Sequence, residues 1–163
     1  MLSNAYCVRE GVPCPGTVHA HPFHLVSLGR HPYVQGSFER LNAVLYSELE
    51  GLNRNYQDLV AIVPYAPSGS AELVRSCLGD LRSHRVALLM NHGAIVRHDN
   101  MARAYAILAY AENAARAALF GLATGAVGLP DEILRPFMDS RGLRDAYQAR
   151  NEWRGIVKHD EQR

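Results

Sequence analysis

Two histidines one residue apart, His19 and His21, are the first residues of this sequence whose spacing suits a chemical role. Alternate residues of a β-strand face the same side, so a strand at this point would hold both imidazoles side by side. Imidazole nitrogens bind divalent ions such as zinc at about 2.0–2.1 Å. The sequence contains 8 histidines in 163 residues, so about 0.3 pairs at this spacing arise by chance. The pair therefore indicates a metal site only with support from other residues.

Three familiar settings of a His-x-His pair fit the neighbouring residues poorly. A cupin has a glutamate four or five positions after the second histidine, where this chain has Leu25 and Val26. A metallo-β-lactamase-like site has an aspartate at the position of Phe23, although its next histidine does match His24. An amidohydrolase barrel requires a much longer chain. None of the three explains the pair.

The elements that position the pair are predicted from apolar periodicity and from turn residues. Residues 17–21 form a short predicted strand that Pro22 ends, and this strand places both histidines on one face. The other predicted strands are 59–65, 85–90 and 94–96, and the predicted helices are 39–52, 71–82, 100–122, 131–138 and 141–157. Strands and helices mix without regular βαβ alternation, so the pattern predicts an α/β layered domain.

Composition narrows the class of protein. A chain of 163 residues with 48% hydrophobic composition can bury one core, so we expect residues 1–163 to form a single globular domain. The net charge of +1 does not indicate nucleic-acid binding. No apolar stretch is long enough to cross a membrane. Cys7, Cys14 and Cys77 form no disulfide framework. We therefore expect a cytoplasmic protein whose partner is a small molecule or another copy of itself.

Three ordered segments resemble the class II aldolase/adducin family. Residues 17–22 match its H-x-H-P strand, residues 63–73 match its P-Y-x-x-x-G-[ST]-x-E-L turn, and residues 86–93 match its L-x-x-H-G strand. The following helix also resembles the family's, with Ala104 and Glu112 at expected positions. The resemblance covers about residues 6–138, which leaves 139–163 as a C-terminal helical tail. It implies a three-layer α/β/α domain with a central, mainly antiparallel sheet, truncated at its amino terminus.

The resemblance also implies a metal site and a reaction. It assigns His19, His21 and His92 as ligands of a divalent metal, usually zinc. Three neutral imidazoles leave the ion its charge and an open position, which stabilises an enediolate of a hydroxy-ketone. The implied function is a metal-dependent aldolase acting on a small, phosphorylated sugar, similar to fuculose-phosphate aldolase or ribulose-phosphate 4-epimerase, and assembled as a homotetramer. An epimerase, a dehydratase or a catalytically inactive adducin-like module stays open.

Structural roles also fit several of these residues. His92 suits a strand-end turn in which its imidazole caps a backbone group, and Gly93 suits either a close approach to the ion or a turn with positive φ. Tyr65 is expected to pack the turn rather than touch substrate, and Glu112 is placed for an ion pair with Arg116. The remaining histidines match no ligand position and are expected to be ordinary surface or loop residues: His24, His31, His84, His98 and His159.

The turn at residues 67–70 carries two hydroxyls before a predicted helix. Ser68, Gly69 and Ser70 suit an anion cradle at a helix N-terminus, but simple capping by a hydroxyl explains them equally well. Both roles stay open.

Two parts of the family's site are not recognisable in this sequence. Members that act on sugar phosphates carry a phosphate loop rich in glycine and serine and a catalytic acid, usually glutamate, upstream of the first strand. Tyr6 resembles the tyrosine that follows the acid by about two helical turns, Glu10 lies in the loop before the strand, and Ser3-Asn4 is too short for the phosphate loop. No catalytic or substrate-binding residue is therefore assigned. We therefore expect the protein to bind a metal but to lack the ~10²–10⁴-fold rate enhancement that general acid–base catalysis contributes.

Overall fold

The structure, a computed structural model, describes residues 16–48, 60–126, 128–140 and 144–160. It describes no side chain at 137, 144–147 or 158–160. Several residues with a predicted role therefore lie outside the described part: Ser3, Asn4, Tyr6, Cys7, Glu10, Cys14, 49–52, Leu59, 141–143 and the side chain of His159.

Four strands and six helices follow each other along the described chain. The strands are β1 (Gly16–Ala20), β2 (Val60–Val63), β3 (Val86–Leu89) and β4 (Gly93–His98). The helices are α1 (Phe23–Gly29), α2 (Phe38–Glu48), α3 (Ala71–Asp80), α4 (Met101–Thr124), α5 (Asp131–Ser140) and α6 (Arg144–Asp160). All four predicted strands and all five predicted helices are present, with ends shifted by a few residues.

The four strands form one sheet in the order β1-β4-β3-β2. Strand β4 pairs antiparallel with both β1 and β3, whereas β2 and β3 are parallel. The predicted α/β fold with a mainly antiparallel sheet is confirmed.

Helices cover both faces of the sheet because successive residues of a strand face opposite sides. In β3, Val86 and Leu88 belong to a core with helices α1, α2, α4 and α6, whereas Ala87 and Leu89 pack with residues of α3 on the other face. All four strand residues are buried. A strand buried on both faces is apolar throughout, as this one is. The architecture has three layers, as expected.

Helix α1 is the element that the periodicity does not predict. It is only seven residues long and begins directly after Pro22, which has the extended backbone of an N-cap residue. Leu25 and Leu28 are fully buried. Gly29 lies so close to β3 that an added Cβ would stand 2.6 Å from Leu88 Cδ2. This short helix therefore packs against the sheet and begins two residues after His21.

Side-chain caps set the starts of the helices on either side of β3 and β4. Ser70 Oγ accepts a hydrogen bond from Leu73 N at 3.1 Å at the start of α3, so the capping role predicted for the turn is confirmed. Asn100 Oδ1 accepts from Arg103 N at 3.0 Å at the start of α4. Gly125, with φ of 70°, ends α4 in the left-handed region that glycine favours.

Helix α6 packs into the main core. Trp153 and Val157 are buried in the same cluster as residues of α2 and α4. Arg150 is fully buried and donates hydrogen bonds to the Asp131 carboxylate and the Leu129 carbonyl, which join α6 to the start of α5. Among the described helices, none combines the length and apolar character needed to cross a bilayer.

Glu48, the last described residue of α2, gives the fold a testable pH dependence. Burial raises the pKa of its carboxyl to about 7, although the Ser47 hydroxyl and two arginines oppose the shift. The folded protein therefore holds a proton that the unfolded chain releases above its ordinary pKa of 4.5. The contribution of Glu48 to the free energy of unfolding is therefore largest below pH 4.5 and is lost as the pH rises to about 7.

We predict that Glu48→Gln removes this dependence. Relative to the variant, the wild type should lose up to about 3 kcal/mol of unfolding free energy between pH 4.5 and pH 8. Urea denaturation at a series of pH values measures the difference, and Glu39→Gln, at an exposed position of the same helix, is the control. Parallel stability curves for wild type and Glu48→Gln would contradict the prediction.

Candidate metal centre

The pairing of β1 with β4 brings the three predicted ligands to one end of the sheet. Ala20, at the end of β1, pairs with Ala94 near the start of β4. His21 is the first residue after β1, and His92 is the last residue before β4. Because the two strands run antiparallel, the end of one lies beside the start of the other. Residues that are 71 positions apart in the sequence are thus neighbours.

The three imidazoles converge on a common space. Their ring centroids are 5.1 Å apart for His19 and His21, 5.2 Å for His19 and His92, and 5.1 Å for His21 and His92. One ring nitrogen from each lies within 4.8 Å of the other two. His19 and His21 are exposed and His92 is partly buried. The structure therefore brings together all three residues that the sequence proposes as ligands.

A backbone hydrogen bond fixes the tautomer of His19. Its Nδ1 lies 3.0 Å from the carbonyl oxygen of Ala94. A carbonyl only accepts hydrogen bonds, so Nδ1 carries the proton and the neutral ring presents the lone pair of Nε2. Metal-binding histidines are commonly oriented in this way through their second nitrogen. The donor set therefore fits a metal ion at this residue.

The nitrogen–nitrogen distance also fits a shared ion. His19 Nε2 lies 3.3 Å from His21 Nε2. Two nitrogens bound to one tetrahedral zinc at about 2.0–2.1 Å stand roughly 3.3–3.4 Å apart. The same distance allows a hydrogen bond between the two rings, so the fit depends on all three histidines together.

The surroundings of His92 favour its neutral form. Burial, and then the neighbouring His19 and His21, lower the pKa of its imidazole. Metal ions bind neutral imidazole, so the lowered pKa opposes the protonation that would compete with binding. Among the described residues, His92 makes no side-chain hydrogen bond, and the alternative role of capping a backbone group gains no support.

Close packing leaves no room for a side chain at Gly93. A Cβ at this residue would stand 2.5 Å from the Ala20 carbonyl oxygen and 2.6 Å from His21 Cδ2. Its φ is not positive; the positive φ of this turn belongs to Asn91, at 60°. The positive-φ reason considered for the glycine is therefore wrong, and the close approach is to Ala20 and His21, whereas an approach to the ion stays a prediction. The absent side chain lets β1 and its histidines lie against the start of β4.

One shallow groove is lined by His21, and a second is lined by Asn91, the residue before His92. The first, of about 340 Å³, is lined by His21, Tyr105 and Glu112 among others. The second, of about 360 Å³, lies beside Asn91 and includes Tyr65. Tyr65 is 67% exposed, so the expectation that it packs the turn is wrong. The groove at His21 therefore offers space for a small molecule next to one candidate ligand.

Helix α4 contributes a carboxylate beside this centre that the sequence assigns to a different contact. Glu112 Oε1 lies 2.7 Å from His24 Nδ1, and both carboxylate oxygens accept hydrogen bonds from the backbone of α1. The expected Glu112–Arg116 ion pair does not form between these two described residues. His24 is a partly buried helical residue, and the expectation of an ordinary surface or loop position is wrong for it. No local periodicity signals a contact 88 positions apart.

The other described histidines make their contacts away from the three candidate ligands. His31 packs its ring against Trp153 at 5.0 Å, and His84 packs against Phe38 at 5.2 Å. His98 Nδ1 accepts a hydrogen bond from Asn100 N. None of them joins the three candidate ligands in the part of the chain that the structure describes.

The comparison with protein families identifies the class of this protein. The family described as the class II aldolase and adducin N-terminal domain matches residues 4–119. The match spans more than half of the chain and includes all three histidines. The chain therefore belongs to the class II aldolase/adducin family. A comparison with curated proteins finds no match.

We predict that Gly93→Ala disrupts the candidate centre. The new Cβ meets the backbone of Ala20, which cannot rotate away, so strand pairing must shift at a cost of about 1–3 kcal/mol. Gly79→Ala is the matched control, because an added Cβ there meets nothing within 4 Å and alanine favours the helix by about 0.5–1 kcal/mol. Urea denaturation measures both variants. Equal stability of the two alanine variants would contradict the role of close packing at Gly93.

Proposed function

We propose that this protein is a divalent-metal-dependent aldolase, a carbon–carbon lyase that acts on a small, phosphorylated hydroxy-ketone sugar. We further propose that His19, His21 and His92 hold a zinc ion, in a site similar to that of fuculose-phosphate aldolase or ribulose-phosphate 4-epimerase. The observation that carries the proposal is the convergence of three imidazole nitrogens within 4.8 Å. Membership of a family that generally uses a divalent metal supports it.

The residues of the chain prepare this site in three ways. The Ala94 carbonyl orients His19, burial and the neighbouring histidines lower the pKa of His92 and so favour its neutral form, and Gly93 allows the strands to approach. A bound divalent ion supplies positive charge that stabilises negative charge developing on the oxygens of the sugar. The exposed sides of His19 and His21 leave a path for the substrate.

Related activities share this site chemistry. An epimerase or a dehydratase would use the same three histidines, because both reactions also place negative charge on substrate oxygens. An inactive adducin-like module has no need of three converging imidazoles, so the geometry favours a metal-dependent enzyme over it. Within the described residues, no carboxylate joins the three histidines.

We also propose that the protein is a cytoplasmic homo-oligomer, a homotetramer as is common for the family, whose ligand is a small sugar phosphate. The near-neutral net charge of +1 supports a small ligand over nucleic acid. Exposed apolar side chains support self-association. They are Phe23, Tyr65, Met101, Tyr105, Tyr110, Phe120 and Ile133. We propose that residues 1–163 form one domain, since α5 and α6 share the main core.

Metal analysis of the purified protein tests the ligands. We predict about one zinc per chain in the wild type and trace zinc in His92→Ala, because removal of one of three ligands leaves too few donors for tight binding. His84→Ala, which removes a histidine that packs on Phe38, is the control and should keep its zinc. Equal, trace zinc in all three proteins would exclude the proposed site.

A hydroxamate that imitates the two adjacent oxygens of the enediolate tests the reaction class. We predict that zinc-loaded wild type binds it and that the chelator-treated protein and His92→Ala bind it much more weakly, because the ion would supply the positive charge that attracts both oxygens. Isothermal titration calorimetry measures the affinities without requiring turnover. Product analysis with ketose phosphates then separates cleavage from epimerisation. Equal binding with and without zinc would contradict the proposal.

A further inference from the structure

We propose that Glu112 is a positioning residue of the metal centre, whose carboxylate fixes the first turn of α1 and thereby the backbone that carries His21. This inference rests on the proposed function. It assigns to Glu112 a structural contact from α4 to the segment directly after the histidine pair. Glu112 is not proposed as a ligand or as a proton donor.

The carboxylate of Glu112 makes three contacts with α1. Its Oε1 accepts from His24 N at 3.0 Å and lies 2.7 Å from His24 Nδ1, and its Oε2 accepts from Leu25 N at 2.8 Å. Hydrogen bonds to an ionised carboxylate are roughly twice as strong as neutral ones. Both oxygens are therefore engaged by the same short segment.

Helix α1 requires a cap from elsewhere in the chain. The first backbone N–H groups of a helix have no partner within it. Most helices use a side chain at the N-cap residue, but Pro22 has no hydrogen-bonding side chain, and none caps α1 from that position. The helix is also only seven residues long and forms weakly by itself. Glu112 supplies the missing acceptors and places negative charge at the positive end of the helix.

The position of α1 controls His21 through a single stiff residue. Only Pro22 separates His21 from α1, and it is buried with its φ held at −68° by the ring. His21 is exposed, and its side-chain hydrogen bond in the described structure goes to His19, another candidate ligand. Among the described residues, the ring of His21 has ring contacts with the other two candidate ligands and lies close to Gly93, and its hydrogen bond does not tie it to another element of the fold. Its place depends on the backbone on either side, which β1 holds before it and Glu112 holds after it.

The test compares the loss of this cap with the loss of a cap far from the histidines. Glu112→Gln keeps the shape of the side chain but replaces one acceptor oxygen by an amide donor, which faces a backbone N–H. Ser70→Ala removes the cap of α3, where Ser70 Oγ accepts from Leu73 N. Competition with a chromophoric chelator measures zinc affinity, the visible spectrum of the cobalt-substituted protein reports ligand geometry, and urea denaturation reports stability.

We expect Glu112→Gln to bind zinc at least about tenfold more weakly than the wild type, in the range seen when groups supporting metal ligands are removed. Its cobalt spectrum should also change. Ser70→Ala should show a lowered urea midpoint with wild-type zinc affinity and an unchanged spectrum. Zinc affinity of Glu112→Gln within twofold of the wild type, with an unchanged cobalt spectrum, would overturn the positioning role.

Two further variants keep the test decisive. If Glu112→Gln fails to fold, Glu112→Asp retains the charge but withdraws the carboxylate by about one carbon–carbon bond, roughly 1.5 Å, and the same loss of affinity is expected. His24→Ala leaves both backbone hydrogen bonds in place, so its zinc affinity should stay within threefold of the wild type. A tenfold loss of affinity would show that the His24 imidazole, and not the backbone hydrogen bonds of Glu112, positions α1, and would overturn the proposal. Absence of zinc from the wild type itself would instead overturn the proposed function.

Discussion

The antiparallel pairing of β1 with β4 is the constraint on which the candidate site depends. Alanines lie opposite each other where the strands meet, Ala20 against Ala94. Gly93 has no side chain to hold the strands apart, and the carbonyl of Ala94 also orients His19. The same short stretch of sheet therefore fixes the distance between the histidine-bearing segments and the tautomer of one ring. Small residues at this crossing are a geometric requirement of the site.

The order of strands explains why the site is both rigid and accessible. Strand β4 lies between β1 and β3, and its first four residues are buried, so His92 directly precedes a backbone that is buried in the sheet. Strand β1 is at the edge of the sheet within the described residues, which leaves His19 and His21 exposed. One imidazole thus comes from the turn before a buried strand, and two come from the edge strand β1 and the residue directly after it. Access for a ligand comes from the edge.

The sequence predicts the strands and the His19–His21 pair from local periodicity, whereas His92 is assigned as the third ligand through the family resemblance. The period of two places His19 and His21 on one face, and apolar runs mark β2, β3 and β4. Helix α1 is not predicted because a helix of seven residues is too short to show a clear helical periodicity. The Glu112 contact with His24 is not predicted because tertiary packing overrides the local pairing expected with Arg116. Long-range polar contacts leave no periodic trace in a sequence.

The character of the three donors distinguishes the kind of ion site that they suit. Structural zinc sites are closed by four protein ligands, often thiolates. Here the described residues bring together three imidazoles, and the one described cysteine, Cys77, is buried in the separate core under α3. Neutral ligands would leave a bound divalent ion its full charge, and the exposure of His19 and His21 would leave one side of such an ion accessible. A structural ion needs neither a full positive charge nor an accessible position, because four protein ligands surround it. Both are what stabilisation of a charged substrate requires, so the arrangement favours a reactive centre over a structural one.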